Sequence, residues 1–353
     1  MRSAKAWLRQ LGDWSHWPFG LFYLPLLPVW LWLCWRGRSF WFFSSSNPAI
    51  PFGGFEGESK REVYAQLPES SYPRTVYVNA GDDPLTILHR VSLYGIVYPL
   101  IVKPDVGMEG IGVRRISDVD ALLQYHAHMP AAYLIQEWAI WPIEVSIFYY
   151  RYPGNATGHI SGFFHKVFPV LTGNGTLTIG WLIGREGFSR SFFRHLHRTY
   201  ASTWNTVLQP GEFLDLSIVG NRYYGVRFED LSQRINPLLV SAFDQLSHFG
   251  GGLFYGRYDI KCRSIEEMAN AQHFTILEFN GAGAIPNHVY TGRYTLVQAY
   301  REIARHWNRL YRISRLNNDR GAVQMSFSEG LRLLVRAKKH FRVLRRYQKE
   351  GWI

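Results

Sequence analysis

The chain has 353 residues, 47% of them hydrophobic and 16% aromatic, and a formal net charge of +12. That is ample for a real core in one large domain or in two or three subdomains. The two cysteines, Cys34 and Cys262, lie far apart in apolar or strand-like contexts. They exclude a disulfide framework and favour a reducing, cytosolic setting.

The basicity belongs to the two ends. Residues 1–45 carry Arg2, Lys5, Arg9, Arg36 and Arg38 against Asp13, and residues 325–353 carry eight Lys/Arg against Glu329 and Glu350. The body between them is nearly neutral. A basic end meets nucleic acid or an anionic membrane surface. Here the N-terminal neighbours decide for membrane and against nucleic acid.

From Trp14 to Trp35, "WSHWPFGLFYLPLLPVWLWLCW" holds 22 residues without Lys, Arg, Asp or Glu. A spanning helix needs about 20 apolar residues. Pro18, Pro25 and Pro28 interrupt the run, and an interior proline costs a helix about 3 kcal/mol. Basic residues flank both sides, so both ends favour the cytoplasm. The reading is a monotopic, in-plane or re-entrant anchor over residues 1–45. A buried aromatic segment on the protein's own core is the alternative. A cleaved signal peptide is disfavoured, because no small-x-small site directly follows the run.

Residues 44–59, "SSSNPAIPFGGFEGES", read as a loop. "RTVYV" (74–78) predicts a strand, and "DPLTILHRVSLYG" (83–95) a helix with Pro84 in its first turn and Gly95 closing it. "YPLIVKP" (98–104) and "GVRRI" (112–116) predict strands. "SDVDALLQYHA" (117–127) predicts a helix opened by Ser117 and Asp120 at capping-box-like spacing. Gly107, Gly110 and Gly112 therefore fall between two strands, as a tight hairpin turn or a lid over phosphates. A Rossmann or Walker loop would lie between a strand and a helix, and neither motif occurs.

"AYLIQEW" (132–138), "EVSIFYYRY" (144–152), "GHISGFFHKVFPV" (158–170) and "TLTIGWLI" (176–183) predict strands. Residues 189–208 and 231–250 predict helices, the second with Pro237 inside it. "FYGRYDIKC" (254–262) and "HFTILEFNG" (273–281) predict strands, and residues 295–313 a helix. The tail, residues 328–351, predicts a basic amphipathic helix with Leu331, Leu334, Val335, Phe341 and Leu344 near one face. It either packs on the body or makes a second membrane-surface contact.

Residues two apart on a strand share a face. Arg257 and Asp259 therefore point together, as do Glu278 and Asn280. On adjacent strands, Asp259, Glu278 and Asn280 would supply oxygen ligands of the kind Mg²⁺ takes. Arg257 beside them would stabilise charge on a transferred phosphoryl group. A salt-bridged strand pair without metal explains the same residues. Lys103 precedes the glycine loop and can reach a phosphate as a point charge, while Gly107, Gly110 and Gly112 supply backbone N–H groups.

In this order "IVKPDVGMEGIGV", "LIQEW", "PIEVSIFYY", "HKVFP", "GRYDI" and "LEFNGAGAIPNH" resemble the ATP-grasp superfamily, over about residues 96–290. That superfamily includes D-alanine–D-alanine ligase, biotin carboxylase and glutathione synthetase. The resemblance implies an α+β fold, two α+β subdomains clasping ATP. Here a truncated N-terminal α/β region (46–95) would precede the ATP-grasp domain (96–325), and a basic C-terminal helix (326–353) would follow it. The resemblance implies that Lys103 and Lys166 contact ATP phosphates. Gln136, Glu137 and Trp138 would line the adenine, with Glu137 facing its amino group. Glu144 would take the ribose hydroxyls, and Arg257 and Lys166 would assist phosphoryl transfer. Asp259, Glu278 and Asn280 would hold Mg²⁺.

The implied activity is a carboxylate–amine ligase forming an amide through an acyl phosphate, and the anchor would place it on the cytosolic face of a bacterial membrane. Its acid and amine substrates could be lipid-linked. An ATP-grasp phosphotransferase and a non-catalytic, membrane-bound nucleotide-binding protein are the alternatives. The chain departs from the family in two ways. Residues 46–95 are short for its substrate domain, and Met108 and Glu109 stand where small or polar residues are usual. Glu109 would have to point away from a triphosphate or meet a cation. His165, Asn287 and His288 lie near these motifs, the histidines more often surface or hydrogen-bonded residues than substrate contacts.

Overall fold

The computed structural model describes residue 14 and residues 17–351. Arg2, Lys5, Arg9 and Asp13, part of the expected basic flank, lie outside the described residues. The apolar run forms α1 (Phe19–Tyr23) and α2 (Leu27–Gly37), joined by a 3-10 turn over Leu24–Leu26. Pro18 precedes α1, and Pro25 and Pro28 occupy the first turns of the next two pieces. There a missing N–H costs nothing, so the prolines segment the helical path without ending it. Phe22, Leu26, Leu33 and Cys34 are buried, while Leu24, Leu27, Leu31, Trp32 and Trp35 on the other side are exposed.

The Ser/Pro/Gly loop that follows is interior rather than a surface linker. Asn47 is fully buried and uses its whole hydrogen-bonding capacity. Its amide donates to the Gly53 and Tyr255 carbonyls, both at 2.8 Å, and its oxygen accepts from the N–H groups of Phe254 and Tyr255. The helix α3 (Lys60–Tyr64) follows, capped by Ser59.

The first α+β unit is a four-stranded antiparallel sheet in the order β1-β4-β2-β3. It comprises β1 (Thr75–Val78), α4 (Pro84–Leu93), β2 (Leu100–Pro104), β3 (Arg114–Ile116), α5 (Val119–His128) and β4 (Tyr133–Glu137). The boundary expected at residue 95 runs through this sheet, because β1 pairs with β4 along its full length. Asp118, not Ser117, caps α5 by accepting from the Ala121 N–H, and Ser117 instead donates to Asp118.

The second unit is a five-stranded antiparallel sheet in the order β11-β10-β5-β6-β9. In chain order it brings β5 (Ile143–Tyr150), β6 (His159–Val167), β7 (Val170–Thr172), α6 (Ile179–Arg185), α7 (Arg190–Thr199) and β8 (Phe213–Asp215). Then come β9 (Arg227–Asp230), α8 (Pro237–Phe249), β10 (Tyr255–Cys262), α9 (Ile265–Ala269) and β11 (Phe274–Asn280). Tyr258 and Ile260 turn to one face and pack with Leu239, Phe243 and Leu246 of α8. The alternate residues Arg257, Asp259 and Lys261 turn to the other face.

Several expectations change here. "TLTIGWLI" is a helix and not a strand. Thr178 caps α6 by accepting from the Trp181 N–H. Gly180 lets the Trp204 indole lie against the helix, where a Cβ would stand 2.2 Å from Nε1. The alternating pattern came from this local packing and not from a sheet. Pro237 opens α8 behind the Asn236 cap and so does not lie inside a helix. Of residues 189–208 only Arg190–Thr199 is helical. The short strands β8 and β9 have no expected counterpart.

Two long helices close the chain, α10 (Leu296–Asn318) and α11 (Phe327–Lys349), both with full capping boxes. The N-terminal segment packs on α10 through Phe22, Leu26, Ile303 and Leu310. Ala337, Phe341 and Leu344 of α11 enter the core of the first unit. Leu331 and Val335, expected on the same face, are exposed.

Candidate active site

The two units face each other across a cleft of about 1460 Å³. Four neighbouring strands of the second unit deliver its floor. Asp259 on β10 is the register partner of Ser146 on β5 and of Glu278 on β11, and Arg257 is the partner of Asn280. Directly opposed residues share a face. The sheet therefore places Glu144, Ser146, Lys166, Arg257, Asp259, Glu278 and Asn280 together, and all but Ser146 line the cleft. The register slips between Asp259 and Ile260. Such a bulge re-aims side chains where pairing ends.

Asp259 is the hub. Arg257 grips it with two donors, Nε to Oδ1 and Nη2 to Oδ2, each at 3.2 Å, and Lys166 Nζ stands 3.3 Å from Oδ1. Ser146 Oγ also donates to it. Burial alone would raise this carboxyl. The Arg257 and Lys166 charges outweigh burial and hold it well below the usual carboxylate range. Burial likewise pulls the Lys166 ammonium down, but Asp259 and Glu144 more than reverse it. Lys166 Nζ reaches Glu144 Oε1 at 3.0 Å.

Lys103 enters from β2 of the first unit. Its Nζ donates to the Leu277 carbonyl at 2.9 Å and to Tyr64 Oη at 3.2 Å. Among the described residues no carboxylate pairs with it directly. Desolvation, then the neighbouring Lys60, push it down to about 7. Lys60 itself meets Glu278 Oε1 at 3.4 Å. Tyr64, Lys60 and Glu58 were absent from the sequence reading. Burial raises the Glu58 carboxyl, and Lys60 and Glu278 lie within its field. Their one signal is position: they directly follow "FGGFEGES", the loop that packs on Gly281 and Gly283 beyond β11.

The glycine loop between β2 and β3 forms a flap over this floor. Gly110 and Gly112 have φ of +75° and +71°, and Glu109 has +54°, whereas Gly107 needs no left-handed conformation. Tyr125 Oη holds the flap by donating to the Gly112 carbonyl at 2.9 Å. Its outer edge leans on α11. His340 Nε2 lies 2.7 Å from the Val106 carbonyl, and Arg345 lies 3.6 Å from Glu109. Glu109 therefore meets a cation on α11, although it also borders the cleft.

Not every expected residue offers a free side chain. Gln136 donates to Thr75 Oγ1 and Tyr64 Oη, inside the first unit. Glu137 is bound by Arg74 at 2.7 Å. Trp138 is held between Arg115 and Lys261, at 4.9 and 5.1 Å from its ring. All three still border the cleft. Asn287 lines it too, while His165 stands 3.6 Å from Glu229 and is not among the lining residues. His288 is buried behind the cleft wall.

Neither a protein-family model nor a curated protein matches the sequence. Among solved structures, the chain is similar to D-alanine–D-alanine ligase from Bacillus anthracis. The identity is 13%, the match covers 74% of this chain and 69% of that one, and the TM-score is 0.42. It is also similar to the ATP-grasp ligase PsnB complexed with a minimal precursor, at 14% identity, 71% and 60% coverage and a TM-score of 0.38. A third is a bifunctional glutathione synthetase from Pasteurella multocida, at 10% identity, 67% and 34% coverage and a TM-score of 0.35. The chain spans from about a third to about two thirds of these proteins' lengths. At such scores the likeness decides nothing about activity, which has to come from the cleft itself.

Proposed function

We propose that the protein is an ATP- and Mg²⁺-dependent carboxylate–amine ligase that forms an amide through an acyl phosphate. One observation carries the reading. Lys103, Lys166, Arg257, Asp259, Glu278 and Asn280 come from two units into one cleft beneath a glycine flap. The donor set fits Mg²⁺: two carboxylates and an amide oxygen on one face, all hard oxygen ligands. Asn280 Nδ2 is buried without a hydrogen-bond partner among the described residues, so this amide is not committed to a protein partner through its nitrogen. Bound Mg²⁺ would neutralise phosphate charge and align the terminal phosphoryl group.

The chain's own residues then bind and orient. Lys103 and Lys166 offer point charges to phosphate oxygens, and the Gly110 and Gly112 amides cap them from above. Arg257 stabilises charge that develops on transfer. Closure of the flap excludes water from a reactive acyl phosphate. Positioning and charge do the work, so no protein nucleophile is required.

The cleft exceeds the roughly 300–1,000 Å³ of a typical single-ligand pocket. That leaves room for acid and amine beside the nucleotide. Trp17 and Phe19, at the start of the apolar segment, border it. This supports an amphiphilic, lipid-linked acceptor and a protein docked on the cytosolic side of an anionic membrane. Phe19–Gly37 is long and apolar enough to cross a bilayer by length and composition. One of its faces is already packed on α10, which favours an in-plane seat.

The test is ADP release with Mg²⁺ across a panel of acids and amines, with mass spectrometry of the product. The proposal expects an amide. A phosphate ester would make the enzyme a phosphotransferase, and nucleotide binding with no ADP from any pairing would end the ligase reading.

A further inference from the structure

Behind the cleft wall lies a second cluster of ligating groups that phosphoryl chemistry does not use. His288 sits on the 3-10 turn Asn287–Tyr290, and Glu302 and His306 lie four residues apart on α10, one above the other on its inner face. One ligand atom from each falls within 4.8 Å of the others. Glu302 Oε1 is 3.4 Å from His306 Nε2 and 4.0 Å from His288 Nε2. His288 is 2% exposed and His306 0%.

The hydrogen bonding around them is incomplete. Among the described residues neither ring nitrogen of His288 has a hydrogen-bond partner, while His306 Nε2 faces the Glu302 carboxylate at 3.4 Å. A buried polar group left so calls for an ion or a water. The outer contacts aim the inner atoms. His306 Nδ1 faces Tyr255 Oη at 3.2 Å; with Nδ1–H donating to that hydroxyl, the Nε2 lone pair would turn to the cluster. The His288 ring is pressed against Gly162, where a Cβ would stand 2.1 Å from Nδ1, so Nε2 is the outward atom. Arg309 and Arg305 hold the Glu302 carboxylate at 3.1 and 3.2 Å.

We propose that His288, Glu302 and His306 bind one divalent transition-metal ion of the zinc class, with a fourth position left for water. Two imidazoles and a carboxylate form a donor set that zinc accepts. Ligand atoms around tetrahedral zinc stand about 3.3 Å apart, given bonds of about 2.0–2.1 Å. The Glu302–His306 pair already stands at 3.4 Å, and His288 would move in from 4.0 Å. Both imidazoles are buried, His288 behind the cleft wall and His306 on the inner face of α10. The ion would tie the 285–290 turn, which borders the nucleotide cleft, to the helix that carries the apolar N-terminal segment.

The tag-free full-length chain, stripped by chelator and dialysed, is titrated with Co²⁺ and followed by visible d–d absorption. Zn²⁺ then competes the signal away. One equivalent with a tetrahedral signature is expected. His288→Ala and His306→Ala should each lose it, and Glu278→Gln should keep it, which separates this site from the Mg²⁺ set. Should the histidine variants misfold, Tyr255→Phe decides. Loss of an outer-shell partner weakens metal binding about 10–100-fold. A wild-type chain without the signature, a signature that His288→Ala retains, or unchanged affinity in Tyr255→Phe overturns the proposal.

Discussion

Gly110 at the tip of the glycine flap lies directly against Val219 of the opposite unit. A Cβ at position 110 would stand 2.5 Å from Val219 Cγ1, and the residue has φ of +75°. The flap is thus closed onto the loop that also carries Gly220, which in turn presses on Glu144 and Lys166. Gly110→Ala adds both a clash and left-handed strain of about 1–2 kcal/mol. The KM for ATP should rise roughly 5–30-fold, the factor that energy represents. Steady-state kinetics that leave KM unchanged would show that the closed flap has no part in nucleotide binding.

Asp259 and Glu278 are opposite each other on β10 and β11 but live in different surroundings. Glu278 is about a third exposed and meets Lys60, whereas Asp259 is buried between Arg257 and Lys166. Glu278→Gln should lower kcat by about 10²–10³, the scale of losing one charge-stabilising group, with little change in melting temperature. Asp259→Asn should abolish turnover and also destabilise the fold by about 3–5 kcal/mol, because it strips buried cations of their counter-charge. Paired melts and ADP-release rates separate the two. A Glu278→Gln enzyme as fast as the wild type removes that residue from the metal site.

If Lys103, pushed down to about 7, receives the phosphates, nucleotide binding becomes a proton-linked event. Below that pH the free protein already carries the ammonium. Above it the lysine is largely neutral, and arriving phosphates favour its protonation. ATP binding should therefore take up close to one proton at about pH 8 and fewer at about pH 6, with affinity falling as pH rises. Calorimetry in buffers of different ionisation enthalpy reads this directly. Lys103→Met should remove the uptake, and no uptake in the wild type at the higher pH contradicts the assignment.

Trp32 and Trp35 are 54% and 71% exposed on the free side of α2. Tryptophan in such a place suits a membrane interface. Trp32→Ser with Trp35→Ser should abolish flotation with anionic vesicles while the melting temperature holds, since neither side chain belongs to the core. Undiminished flotation would move the membrane contact elsewhere, with the basic face of α11 the next surface to change.

Phe341 packs inside the first unit, close to Val106 and Met108 at the base of the flap. Phe341→Ala should destabilise by about 3–5 kcal/mol, as removal of a buried ring does. The ATP KM should rise as well. Destabilisation with an unchanged KM would mean that α11 supports the core but does not brace the flap.

The strands that build the site were legible because their chemistry repeats every second residue. "GRYDI" and "LEFNG" gave both the face and the partnership that the sheet register carries out. "TLTIGWLI" misled for the same reason. Its β-branched alternation mimics a strand, while the Thr178 cap and the Trp204 contact at Gly180 are set by residues distant from the pattern. Lys60 and Tyr64 were missed because nothing local marks them. Lys60 reaches the cleft, and Tyr64 reaches Lys103 behind it, only when residues 46–59 fold beneath the 281–284 loop. His288 looked like an ordinary histidine, since its partners Glu302 and His306 follow on a helix whose inward face the sequence does not reveal.

The central claim is tested most directly by diffraction from crystals soaked with Mn²⁺ and a non-hydrolysable ATP analogue, with data collected at the manganese edge. An anomalous peak bridging Asp259 and Glu278, with the triphosphate between Lys103 and Lys166, is the result expected. Manganese bound elsewhere, or a nucleotide seated outside the flap, would contradict it.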